Sequence, residues 1–126
     1  MIIKLMKSKI HRATVTGADL NYEGSIALDE ALIEAAGFVI GEAVHVWNLS
    51  NGERFETYVI AAPRNSGEVR LNGAAARLVH PGDLVIVVSF CWMEPAEAEK
   101  YLPRVVLVDE KNRCVKATER RSKKPA

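Results

Sequence analysis

Asn21-Tyr22-Glu23-Gly24-Ser25 is the stretch of this 126-residue chain with the most chemistry in it. Taken alone, Gly-Ser shortly after an Asn reads as a turn. The same pair can also undergo an N→O acyl shift. The Ser25 hydroxyl attacks the Gly24 carbonyl, the peptide C–N bond breaks, and the amide becomes an ester. Loss of the serine Cα proton then expels the acyl group as a carboxylate and leaves dehydroalanine. Hydrolysis of that residue releases ammonia and gives a pyruvoyl group. Glycine suits position 24 because it has no Cβ and tolerates a strained backbone that exposes its carbonyl.

Other groups could serve a small anionic ligand. Arg54, two residues past Asn51-Gly52, carries a planar fork suited to a carboxylate, but by position alone it reads first as a surface charge. Lys9 and His11 alternate, so on a strand they share a face, although a lone His is more often structural.

These groups must be positioned by a β-rich framework. Val, Ile and Leu cluster in short runs bounded by Gly, Pro and Asn, which predicts strands over 10–16, 25–28, 43–48, 54–61, 69–71, 84–90 and 105–108. Asn51-Gly52 signals a hairpin between two of them. Asp29 can cap a short helix that turns Leu32, Ile33 and Ala36 inward and stops at Gly37. Asn72 can cap a second through Ala74, Ala75, Ala76 and Leu78. A shift of 41 places sets Ala35 on Ala76, Phe38 on Val79, Gly41 on Gly82, Glu42 on Asp83, Val44 on Val85 and Val46 on Val87. Two units of helix, apolar link, Gly-acid turn and strand predict a closed barrel with internal pseudo-twofold symmetry, since closure removes exposed edges.

Bulk properties narrow the class. A 48% hydrophobic content at this length predicts one domain. Seventeen Lys+Arg against sixteen Asp+Glu leave a net charge of +1, unlike the basic footprint of a nucleic-acid binder. The local exception, Arg120, Arg121, Lys123 and Lys124, reads as a solvated tail. No apolar run approaches the ~18–20 residues that span a bilayer, and no secretory segment precedes the first strand. Cys91 and Cys114 do not form a zinc pattern and are expected as free thiols, Cys91 in the core, in a reducing cytoplasm.

Several blocks together carry a resemblance: Lys7-Ser8-Lys9-Ile10-His11-Arg12, Val15-Thr16-Gly17-Ala18-Asp19-Leu20, Tyr22-Glu23-Gly24-Ser25, Asn51-Gly52-Glu53-Arg54, Thr57-Tyr58, Asn72-Gly73-Ala74-Ala75-Ala76 and His80-Pro81-Gly82-Asp83. From Met1 to about Val108 the chain resembles bacterial aspartate 1-decarboxylases, pyruvoyl-dependent enzymes that make β-alanine for pantothenate. Gly17 stands where a larger residue is common, and the tail after Thr118 matches no family pattern.

The resemblance implies a mainly β fold, a double-psi β-barrel with short helices. One self-processing domain would span 1–118, cut into fragments 1–24 and 25–126, with a disordered basic tail over 119–126. It implies that Ser25 becomes the pyruvoyl cofactor and Gly24 the end of the small fragment. Decarboxylation leaves electrons on Cα that no ordinary side chain accepts, and a carbonyl condensed with the substrate amine supplies that sink. Arg54 and Lys9 match the residues that hold the carboxylates of L-aspartate. Thr57 matches a donor to the Gly24 carbonyl that favours cleavage and also lies at the substrate, and Tyr58 matches the proton donor to Cα. Asn72, Gly73, Ala74 and Ala75 match the substrate-binding turn, whose free N–H groups suit an anion. His11, Tyr22 and Trp47 take supporting places, the last two as pocket walls. Adjacent strand residues face opposite ways. Thr57 and Tyr58 therefore require a bend or bulge, or serve two sites across a subunit boundary. The family is expected as a cytoplasmic homotetramer without metal, membrane or nucleic acid. Cleavage unaided and cleavage with a maturation factor both stay open. A noncatalytic barrel that only binds ligand and a β dimer that grips DNA through the tail are the competing readings. Gly24-Ser25 with Arg54 favours the enzyme over the first, and the near-neutral charge disfavours the second.

Overall fold

The computed structural model describes residues 1–120. Nine strands follow one another as β1 (Ile3–Thr14), β2 (Gly17–Asp19), β3 (Ser25–Asp29), β4 (Ala43–Asn48), β5 (Arg54–Ala62), β6 (Val69–Asn72), β7 (Leu84–Met93), β8 (Arg104–Val108) and β9 (Cys114–Glu119). Helix α1 (Glu30–Ala36) follows β3, a 3₁₀ helix (Gly73–Leu78) follows β6, and α2 (Pro95–Ala98) follows β7. The protein is mainly β with short helices, as expected.

The strand order β2-β6-β3-β5-β4-β7-β1-β8-β9 contains its own closure. β1 and β2 are one run of chain interrupted only by Val15 and Thr16, so the ribbon that leaves β2 returns to the segment it started from. Val15 N donates to Asp83 O and Thr16 N to Val69 O, both at 2.8 Å, and these bonds join the two margins. The result is a barrel with β8 and β9 added outside β1. Its interior is filled by Ile10, Val15, Ile26, Leu28, Val44, Val46, Val59, Leu71, Val85 and Val87, all 1% exposed or less.

The internal repeat is present in the hydrogen bonds. Gly41 N donates to Val59 O and Val59 N returns to Glu42 O; Gly82 N donates to Val15 O and Val15 N returns to Asp83 O. β4 and β7 meet as Val46↔Val87, flanked by His45↔Val88 and Trp47↔Ile86, so each strand sees the other from an equivalent position. Gly41 and Gly82, at φ 88° and 96°, make the two turns that a side chain would strain.

Asp29 caps α1 as predicted, accepting from Ala31 N at 2.8 Å, and Gly37 ends the helix at φ 72°. Asn72 does not cap the second helix, which is 3₁₀ and receives no side-chain bond from it. The β4–β5 hairpin forms, but its loop is wider than a two-residue turn: Asn48 N donates to Glu53 O and Gly52 N to Asn48 O. Cys91 is half-buried rather than in the core, and both thiols are free. Of the expected tail, Glu119 ends β9 and Arg120 N donates to Pro103 O at 2.9 Å; positions 121–126 lie outside the described residues.

Candidate active site

Two strands flank β6 at its end. Asn72 is the ladder partner of Asp19 on β2 and of Ser25 on β3, so the loop from Leu20 to Gly24 must cross over the tip of β6. That arch carries the Gly24-Ser25 link. Ser25 is 1% exposed and Asn72 fully buried. The Ser25 hydroxyl donates to Glu23 O at 3.0 Å and accepts from Asn72 Nδ2 at 3.0 Å. Asn72 Oδ1 is buried without a partner, which costs about 1–3 kcal/mol and marks a place for a donor.

Gly73 completes the contact. At φ 70° it lies so close that a Cβ there would stand 2.7 Å from Gly24 Cα and 2.9 Å from Gly24 N. Gly24 itself departs from expectation. Its φ is outside the left-handed region, and a Cβ would meet nothing within 4 Å, so neither strain nor space in this chain demands glycine there.

On the other side of β3, Ile26 pairs in parallel with Val59. Carried back along both strands, that register sets Ser25 beside Tyr58 and Gly24 beside Thr57. No hydrogen bond joins the Thr57 hydroxyl to the Gly24 carbonyl. The β4–β5 register runs without interruption from Ala43↔Tyr58 to Trp47↔Arg54. No bend or bulge is present, and Thr57 and Tyr58 face opposite sides of the wall.

The remaining residues gather elsewhere. The outer face of β1, β7, β4 and β5 carries Lys9, His45, Trp47, Arg54, Glu56 and Tyr58, with Ile86 and Val88 buried among them and Glu56 3.4 Å from His45 Nε2. Arg54 lies over the Trp47 ring, its guanidinium carbon 4.2 Å from the centroid. Both residues line a cleft of about 330 Å³ with Asn48, Leu49, Gly52 and Ile86. Such stacking holds the fork while leaving its N–H edges free. Arg54 and Lys9 form no ion pair among the described residues. They stand on strands separated by β7 and β4, about 14 Å apart at the usual strand spacing. Tyr22, half exposed, sits on the arch beside Gly24, away from Trp47. One chain therefore brings Ser25, Asn72, Gly73, Gly24 and the Tyr22 carbonyl together and leaves Lys9, Arg54 and Trp47 on a separate outer face.

His11 is near Lys9 on β1 but lines a different cavity, with Arg12, Asp109 and Glu110, and its Nδ1 is buried and unpartnered. Burial, with Lys9, Arg12 and Arg120 nearby, lowers its pKa. Among the described residues no three His, Cys, Asp or Glu come together as metal ligands, and no helix is long and apolar enough to cross a membrane. Asn72 was expected at the substrate-binding turn; its direct bond to Ser25 follows from the β3–β6 register, which no local pattern reveals.

Comparison with known proteins gives the family. Residues 1–115 match the family model described as aspartate decarboxylase. An aspartate 1-decarboxylase of Pelotomaculum thermopropionicum is 55% identical over 100% of this chain and 96% of its own length. Those of Caldicellulosiruptor saccharolyticus and Acetivibrio thermocellus are 56% and 58% identical, covering 92% and 91% of this chain and 91% of each relative. The matches place the barrel among the decarboxylases. The chain belongs to the aspartate decarboxylase family.

Proposed function

We propose that this chain decarboxylates L-aspartate to β-alanine and CO₂, supplying β-alanine for pantothenate, after cutting itself between Gly24 and Ser25. The observation that carries the reading is the buried Ser25 hydroxyl held between Glu23 O and Asn72 Nδ2. A surface turn has no need of such a placement. What supports a pyruvoyl group derived from Ser25 is an enclosed position with a donor, Asn72 Nδ2, already directed at the Ser25 oxygen. That group supplies an electrophilic carbonyl able to take up the electrons released with CO₂.

The chain's own residues do the rest. Asn72 orients Ser25 Oγ and polarises it. Thr57, in register with Gly24, stabilises charge on the Gly24 carbonyl as the hydroxyl adds, once its own hydroxyl turns toward it. Arg54 binds a substrate carboxylate through paired charge-assisted bonds, with Lys9 on the second. Tyr58 returns a proton to Cα, and Asn72 to Ala75 flank the substrate.

Arg54 and Lys9 are far from Ser25 within one chain, while the face carrying them leaves Trp92 and Tyr58 exposed. We take the working site as shared between copies in a cytoplasmic homotetramer, with Thr57 and Tyr58 serving neighbouring sites. The barrel is assigned to the double-psi class on its pseudo-twofold turns. Release of β-alanine from L-aspartate by purified, cleaved protein tests the activity; absence of product from fully cleaved protein would reject it.

A further inference from the structure

We infer that Gly73 is a positioning residue for the self-cleavage, and that Asn72 and Gly73 together clamp the two residues of the scissile link. The inference rests on the self-cleavage reading above and adds to it a part for the backbone of β6.

Consecutive residues at the tip of β6 address consecutive residues of the arch. Asn72 reaches Ser25 through its side chain at 3.0 Å. Gly73 reaches Gly24 by having no side chain: a Cβ would lie 2.7 Å from Gly24 Cα, 2.9 Å from Gly24 N and 3.3 Å from Tyr22 O. All three atoms are backbone, so no flexible side chain can move aside. A side chain on Gly24 would itself meet nothing within 4 Å, so the close approach constrains residue 73 and not residue 24.

The first covalent step makes that placement matter. Ser25 Oγ forms a bond to the Gly24 carbonyl carbon, the C–N bond to Ser25 breaks, and the hydroxyl proton ends on the freed Ser25 nitrogen. Atoms and electrons balance without a co-reactant. The step is sensitive to the angle and distance between Oγ and that carbon. A displacement of 1 Å can cost roughly a hundredfold in rate. Gly73 sets the carbon's position from one side while Asn72 sets the oxygen's from the other.

A variant at a left-handed glycine carries backbone strain wherever it lies, so the test needs a matched control. Gly67 provides it: at φ 72° its Cβ would meet Lys111 O at the same 2.7 Å, far from the arch. Gly73→Ala, Gly73→Asn and Gly67→Ala would be followed by intact mass for cleavage and by thermal melting for fold. Asn tolerates positive φ better than Ala yet still carries a Cβ. It therefore separates strain at residue 73 from contact with Gly24.

Both Gly73 variants are expected to cleave roughly a hundredfold more slowly than wild type, while Gly67→Ala cleaves at the wild-type rate with a lowered melting temperature. Hydroxylamine cuts esters readily and the Asn51-Gly52 and Asn72-Gly73 peptide bonds more slowly, so at neutral pH and short times the diagnostic cut is the one at residue 24. It should be missing from the Gly73 variants, placing the block before the ester. Wild-type cleavage in a folded Gly73→Asn chain would overturn the inference. So would equal slowing in Gly67→Ala, or hydroxylamine cutting at residue 24 of the Gly73 variants. A wild type that never cleaves would overturn the self-cleavage reading itself and this inference with it.

Discussion

Arg54 stacks on Trp47, its ladder partner across the β4–β5 hairpin, with the guanidinium 4.2 Å from the ring centroid and no ion pair to a carboxylate among the described residues. An arginine held in place yet unpaired is available to an incoming anion, and its distance along β5 from the Ser25–Tyr58 register separates binding from self-cleavage.

Arg54→Ala should therefore cleave at the wild-type rate and lose at least about thirtyfold in kcat/KM for L-aspartate, the cost of removing charge-assisted hydrogen bonds to the substrate carboxylate. Intact mass and a β-alanine assay on one preparation check both halves. Equal loss of cleavage and activity would contradict the division.

Asp29 joins α1 to the barrel. Its carboxylate accepts from Ala31 N, Asn65 N and Gly67 N at 2.8–2.9 Å. Burial pushes its pKa up, but the Gly67, Ala31 and Asn65 donors prevail, and it lies below its ordinary value of 3.8. The stability it contributes is complete above that value and is lost as pH falls through the lower folded one. Asp29→Ala should cost about 2–3 kcal/mol at neutral pH, and chemical denaturation should show a flatter pH dependence below pH 4.

His11 gives the same sign of pH dependence at higher pH, here because burial disfavours its charged form. Its lowered pKa means that the folded protein binds fewer protons than the unfolded chain, so stability rises with pH between the folded value and 6.5. Asp109 and Glu110 line the same cavity without reversing the direction. Wild type should lose melting temperature between pH 7 and pH 5, and His11→Gln should lose less. An identical pH slope in both proteins would remove His11 from the account.

The barrel was legible in the sequence wherever burial is one-sided or complete. Val44, Val46, Val85 and Val87 fill its interior, and the Gly-acid turns at Gly41 and Gly82 announced its symmetry. β9 was not predicted because nearly all of Cys114–Glu119 is exposed; its backbone pairs with β8, and no apolar face records the fact. β1 was read as starting at residue 10 because Lys4, Lys7 and Lys9 break its first half. At the site, Gly24-Ser25 and Arg54 stand out by residue type. That Asn72 turns to Ser25 instead of capping a helix depends on strands far apart in sequence, as does the separation of Lys9 and Arg54 from Ser25. Spacing along one chain carries no distance across a barrel.

Intact mass of the purified wild type beside Ser25→Ala tests the central claim most directly. The account predicts two wild-type fragments divided after Gly24, the larger lacking a free amino terminus, and one uncut Ser25→Ala chain that releases no β-alanine. A wild type that turns over L-aspartate as a single unbroken polypeptide, or a Ser25→Ala protein of full activity, would contradict it.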